Sequence, residues 1–364
     1  MKKALFLCLA ALSALSAMST LLAQPIEIPS WVDQEIQKVG QRIQEWQGSD
    51  PIVLFPVITD VHSGGRDTYR HVAYLNHAAK SLPFDFIADL GDIGLDVPAT
   101  KELEVAMPFL QRHAELHHQF PGISINLVGN HDHNRNGGQG NAFNDRELGE
   151  FFNVPSLRKS TSLRQLTLAE NGTYGFVDIP ARKVRVFFLN TSDRQDPQNY
   201  YTVSPRQMDF LVYHMRFTEP GWTVLVLSHY CMWKDLGAWN SDSVRGAHMD
   251  TLLQIFQDFN AAAKGESEGV RWDFTGNVDC RMAAYITGDS HFDVTERENG
   301  ILVAISQGFG GVSPKDVPRW ASRTDFNPAQ QTLVDIVAVK PQARELKIFR
   351  MGAGGAEKDR TFSW

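Results

Sequence analysis

Residues 51–62 read Pro51-Ile52-Val53-Leu54-Phe55-Pro56-Val57-Ile58-Thr59-Asp60-Val61-His62. A short, continuous apolar run without alternation is the pattern of a strand buried on both faces. This one ends on a carboxylate and an imidazole. The arrangement recurs: residues 84–90 lead into Gly91-Asp92, 123–128 into Gly129-Asn130-His131-Asp132, 223–227 into Ser228-His229, and 283–287 into Gly288-Asp289-Ser290-His291. Between the runs lie helical patterns at 67–80, 101–118 and 205–216, the last with Met208, Leu211, Val212 and Met215 on one face. Pro108 argues against one unbroken helix over the middle stretch. Strands alternating with helices, each strand releasing polar residues at its carboxyl end, predict an α/β fold whose site gathers along that edge.

The flanking sequence extends this reading. Ile36, Val39, Ile43 and Trp46 recur at helical spacing, so 30–47 is predicted as an amphipathic helix covering a face of the main domain. From Thr173 strands become denser: 173–178 with 184–190, 292–296 with 301–306, and 332–340 with 345–350 read as three hairpins, expected to fill a second sheet. The predicted organisation is a leader over 1–23, a helical segment over 24–50, one catalytic domain over 51–350, and an exposed tail over 351–364 carrying Gly352, Gly354 and Gly355.

The order and content of the five polar blocks resemble the calcineurin-like metallophosphoesterases. The resemblance spans residues 51–310 and implies two mixed β-sheets packed as a sandwich flanked by α-helices. It also implies two metal ions, with Asp60, His62 and His291 holding the first, Asp92 bridging both, and Asn130 and His229 holding the second. His131 is similar to the family's catalytic histidine that is not a metal ligand, and Asp132 is expected to orient and charge its ring. The spacing of two in Asp60-Val61-His62 is expected to put both side chains on one side of an extended segment.

Two positions depart from the family. Asp289 stands where a histidine usually completes the second metal's ligands. That favours a harder ion there, Mn²⁺, Fe²⁺ or Mg²⁺ over Zn²⁺. Leu95 stands where purple acid phosphatases have a tyrosine, which argues against an iron-tyrosinate enzyme.

The chemistry so implied is hydrolysis of a phosphate mono- or diester by in-line attack of metal-bound hydroxide. The alternative is a phosphoesterase fold retained to bind a phosphate ligand, with turnover lost. The presence of His131 and Asp132, which neither metal nor phosphate binding requires, favours catalysis. A third reading keeps the metals but changes the bond they hydrolyse. Among the glycine-rich loops, Arg66 and Arg135 are candidates for contact with substrate. The Tyr230-Cys231-Met232-Trp233 segment offers either an apolar substrate wall or core packing.

Lys2 and Lys3, the apolar stretch from Ala4 and the small residues before Gln24-Pro25 form the layout of a secretory leader, with cleavage expected after Ala23; an uncleaved membrane anchor is the alternative. The expectation is a periplasmic or secreted protein. Loss of Lys2 and Lys3 with the leader moves the formal charge from −7 to −9, which argues against a broad nucleic-acid-binding face and leaves a small phosphate ester as the expected partner. Membrane contact after cleavage is not expected, and oligomeric state is not readable. Cys231 and Cys280, near opposite ends of their strands, are expected to stay unpaired. His71, His77, His113, His117, His118 and His214 fall in helical stretches and read as surface or satisfied structural residues, His133 as a loop histidine, and His248 as a helix cap.

Overall fold

The computed structural model describes residues 26–62, 69–94, 97, 102–134, 143–193, 202–231, 248–298, 300–306 and 332–364. Arg66, Leu95, Arg135, Met232, Trp233 and the leader lie outside them. Among the described residues no helix is long and apolar enough to cross a membrane.

The five motif-bearing apolar runs all form strands: β1 (Val53–Ile58), β2 (Phe86–Asp89), β3 (Ile123–Asn126), β7 (Thr223–Leu227) and β10 (Arg281–Thr287). The remaining large-sheet strands are β4 (Gln165–Leu168), β5 (Gly175–Ile179), β6 (Val184–Phe188), β11 (Val294–Glu298), β12 (Ile301–Ile305), β13 (Leu333–Lys340), β14 (Glu345–Gly352) and β15 (Arg360–Ser363). A small separate hairpin, β8 (Lys264–Ser267) with β9 (Val270–Asp273), completes the set. One sheet runs β15-β14-β13-β1-β2-β3 and the other β11-β12-β10-β7-β6-β5-β4. Both are mixed: β1, β2 and β3 are parallel, as are β6, β7, β10 and β12, while the outer hairpins are antiparallel.

The sheets face each other across an apolar interior in which Phe55, Val57, Phe86 and Ile125 meet Val177, Phe188, Leu225 and Ile286. Helices α1 (Ser30–Gln47) and α2 (Arg70–Ala78) cover the outer face of the first sheet, where Val32, Ile36, Val39 and Ile43 pack with Leu54, Ile58 and Phe349. Helices α5 (Pro205–Arg216) and α6 (Met249–Ala261) cover the second, through Met208, Leu211, Leu252 and Phe256 against Val224, Val226 and Tyr285. Between them in sequence, α3 (Met107–His117) and α4 (Asp145–Phe152) pack Leu110, Ala114, Leu148 and Phe152 around Val128. Each motif strand is thus buried on both faces, which is why it reads as an unbroken apolar run.

Pro108 is the second residue of α3, which follows directly on a π-helical turn over Glu102–Ala106, so the stretch is not one unbroken α-helix. Two expectations are corrected. The hairpin of β13 and β14 joins the first sheet, because β13 pairs antiparallel with β1 from Val53↔Val339 to Val57↔Asp335. Residues 351–364 are no free tail: β15 pairs with β14 from Glu345↔Ser363 to Ile348↔Arg360, and Asp359 accepts the Arg350 N–H at 3.0 Å. Cys231 and Cys280 are both buried and not joined in a disulfide, separated by the length of the parallel β7–β10 pair as expected.

Candidate metal centre

Backbone hydrogen bonds stitch the strand ends together before any side chain is considered. Asp60 N donates to Gly91 O at 2.9 Å and His62 N to Asp92 O at 3.0 Å, tying the loop after β1 to the loop after β2. Gly288 N donates to His229 O at 3.0 Å, tying β10 to β7. The strand ends approach so closely here that a Cβ on Gly288 would fall 1.9 Å from Thr59 Oγ1 of the other sheet, and one on Gly129 2.2 Å from Asp92 Oδ1 of the neighbouring loop. Glycine precedes Asp289 and Asn130 because nothing larger fits.

Asp60, His62, Asp92, Asp289 and His291 all occupy the left-handed region, with φ of 53°, 41°, 55°, 62° and 59°. Asp and His tolerate this conformation better than most residues, but it costs of order 1–3 kcal/mol each and marks sites where geometry is imposed by the surroundings. The expectation that Asp60 and His62 share a face of an extended segment is therefore corrected. They converge because the chain coils at both residues.

The side chains meet around two centres. At the first, His62 Nε2 lies 3.1 Å from His291 Nε2 and 3.8 Å from Asp60 Oδ1, while His291 Nε2 lies 3.3 Å from Asp60 Oδ1. Asp60 is fully buried and its Oδ1 has no hydrogen-bond partner, whereas Oδ2 accepts from Thr59 Oγ1 at 2.7 Å and Asp289 N at 3.0 Å. At the second, His229 Nε2 lies 3.1 Å from Asn130 Oδ1 and 3.7 Å from Asp289 Oδ1. Asp92 Oδ2 joins the centres, 3.6 Å from His62 Nε2 and 3.3 Å from His229 Nε2. Its Oδ1 is held by the His131 N–H at 2.8 Å. His229 Nδ1 faces the Leu90 carbonyl at 3.0 Å and must donate to it, so Nε2 keeps its lone pair for a metal.

This donor set fits a binuclear metal site. An orphaned carboxylate oxygen, two imidazole nitrogens turned toward one point, and one carboxylate oxygen between both histidine sets are each what a pair of cations would satisfy. The electrostatics agree. Burial alone would raise the Asp92 carboxyl, yet His229, His131 and His62 hold it well below the usual carboxylate range. Burial opposes charge on His229 too, but Asp92, Asp60 and Asp289 raise its imidazole well above the ordinary value. Asp289 is pushed up to about 7 by burial and by Asp60 and Asp92, against the pull of His229. Three carboxylates in one buried space require positive charge.

All seven expected ligands are brought together. His131 adjoins them, its Nε2 3.8 Å from Asp92 Oδ2 and its ring the most open of the cluster, with 29% of the side chain exposed against 16% for His62 and 0% for His229. Asp132 has a different place from the one expected. Its carboxylate accepts backbone N–H groups from Gly129 at 2.8 Å, Gly94 at 2.9 Å and Asp92 at 3.0 Å, so it fixes the loops after β2 and β3 rather than the His131 ring. Among the remaining histidines, His133 is buried against Asp145 at 2.8 Å, and His248 sits at the start of α6 with its ring on Glu268 at 2.6 Å instead of capping. Thr59 is the contributor missed in the sequence, since adjacency to Asp60 was its sole signal.

This chain, a two-sheet α/β sandwich with clustered Asp, Asn and His side chains at the carboxyl ends of β1, β2, β3, β7 and β10, has the calcineurin-like metallophosphoesterase fold. It is similar to a dimetal phosphatase from Danio rerio, with 11% identity, a TM-score of 0.54, and 86% of this chain and 100% of that chain covered. It is also similar to GAP50, the anchor in the inner membrane complex of Plasmodium (11% identity, TM-score 0.45, 86% and 88% covered). A predicted phosphoesterase from Streptococcus pneumoniae is similar as well (11% identity, TM-score 0.33, 86% and 99% covered). No protein-family model and no curated protein sequence matches the chain.

Proposed function

We propose that this chain is an exported, metal-dependent phosphoesterase that hydrolyses a phosphate mono- or diester of a small molecule. The observation that carries the reading is the Asp92 carboxylate, with one oxygen 3.6 Å from His62 and 3.3 Å from His229, at the join of two complementary donor sets. Two bound cations neutralise phosphoryl charge and make hydroxide available near neutral pH. Asp60, His62 and His291 would hold one cation and Asn130, His229 and Asp289 the other, with Asp92 between the two sets. His131, on the open side, is placed to hold or deliver a proton at the leaving oxygen. Two ligand sets differ in hardness: Asp60, His62, Asp92 and His291 against Asp92, Asn130, His229 and Asp289. The oxygen-rich second set supports Mn or Fe over Zn. Export rests on the leader-like residues 1–23.

The test is hydrolysis of para-nitrophenyl phosphate and its bis-ester with added Mn²⁺. Wild type should turn over at least one of them, and His131→Ala should keep its metals while losing about 10²–10⁴-fold in kcat, the range of a general acid. Metal-replete protein that binds inorganic phosphate yet cleaves neither ester would replace this reading with that of a phosphate-binding protein.

A further inference from the structure

Three helical histidines lie in the core rather than on the surface. His71 on α2 and His113 on α3 are fully buried and close on Asp89, the fully buried last residue of β2, while His117, also fully buried, follows His113 on α3. His113 Nε2 and Asp89 Oδ2 are 2.9 Å apart, yet neither atom is in hydrogen-bonding alignment with any partner among the described residues. Ring donors from His71 and His113 and the Asp89 oxygen lie within 4.8 Å of one another. The His113 ring stacks on His117, one helical turn on, with centroids 5.9 Å apart, and tilts against His71 at 5.6 Å. Both ring nitrogens of His117 are buried without a hydrogen-bond partner. A cluster of buried polar atoms left in this state is costly unless an ion or ordered water completes it.

We infer that His71, Asp89 and His113 form a third metal site, separate from the binuclear centre, that takes one divalent transition ion of the zinc class. Two imidazoles and a carboxylate suit such an ion, whose ligand atoms sit roughly 3.3 Å apart at bond lengths of about 2.0–2.1 Å. His113 and His117, at i and i+4, present two rings on one face of α3, and His117 is the adjoining imidazole for the fourth position. The role is structural. The other Asp89 oxygen, Oδ1, accepts the Gly91 N–H at 3.0 Å, so an ion on Oδ2 would clamp α2 and α3 to the turn that presents Asp92.

The decisive experiment is anomalous diffraction from crystals of the full wild-type chain prepared with Zn²⁺, measured on both sides of the zinc edge. A peak between His71, Asp89 and His113, apart from those at Asp92, is expected. A water-like or absent peak there in crystals whose binuclear centre is loaded would overturn the inference. Metal analysis in solution gives a second readout: His113→Gln should lose one equivalent and keep the ions of the binuclear centre, whereas His62→Ala should keep the equivalent held by His113. Equal metal content in wild type and a folded His113→Gln would also overturn it. Neither readout uses ester hydrolysis, so the third site stands or falls independently of the proposed activity.

Discussion

At the scale of single residues, the site is built from positions where the backbone has little choice. A Cβ at Gly288 would collide with Thr59 and Asp60, both held in the closed joint between the sheets. Gly288→Ala should therefore separate the two donor sets and lower retention of the binuclear metals at least tenfold in equilibrium dialysis; unchanged affinity would show that the joint can open cheaply. Asp132 carries a different burden. Its carboxylate accepts three backbone N–H groups in a buried loop, and each left unsatisfied costs about 1–3 kcal/mol. Asp132→Ala should cost roughly 2–4 kcal/mol in denaturant unfolding, a loss that a purely catalytic residue would not produce. Asp289→His should increase Zn²⁺ retention relative to Mn²⁺ by exchanging a hard oxygen for an imidazole. The identities of Asp60, His62, Asp92, Asn130, His229 and His291 were legible in the chain, whereas the work of Asp132 was not. An aspartate one residue past a histidine looks like its partner until the backbone turn is seen to point it the other way.

At the scale of elements, strands were easier to read than their partners. Continuous apolar runs identified β1, β2, β3, β7 and β10, since each is buried on both faces. The hairpin of β13 and β14 was recognisable as a hairpin, but which sheet it joins depends on an antiparallel pairing with β1 across more than 270 intervening positions. Strand β15 was missed because four residues alternating in exposure after a run of glycines look like a terminus. Its Arg360 nonetheless reaches Asp335 at 2.7 Å, beside Arg350 on Asp335 and Asp293, each at 2.6 Å. Asp293 is two residues beyond His291, so this network anchors the segment that supplies a metal ligand. Removing residues 360–364 should lower the thermal midpoint by several degrees and weaken metal retention at His291 together; a truncated chain with native stability would show that the strand is dispensable.

At the scale of the whole molecule, the Arg350–Asp335–Arg360 group predicts an acid limb of stability. Burial alone would raise the Asp335 carboxyl, but Arg350 and Arg360 lower it below its ordinary value. A carboxylate with a depressed folded-state pKa contributes stability that is fully present above its unfolded pKa of about 3.9 and is lost as the pH falls through the folded value. Stability measured with metals absent should decline below about pH 4, and Asp335→Asn should flatten that part of the decline while lowering stability at neutral pH. Replacing Arg350 with Met should cost more, about 3–5 kcal/mol, because it removes the closest cation from the fully buried Asp335 carboxylate and from the partly buried Asp293.

The sequence by itself determined the strand identities, the order of the metal-binding blocks and the residue types at each strand end, because burial on two faces and coordination chemistry both restrict composition locally. Tertiary structure alone decided which sheet each hairpin joined, which way Asp132 faced, how the C-terminal strand closed the fold, and that His71 and His113 meet at Asp89. Those outcomes depend on backbone turns and on contacts between segments far apart in the chain, and no local pattern of side chains encodes where a distant segment will lie.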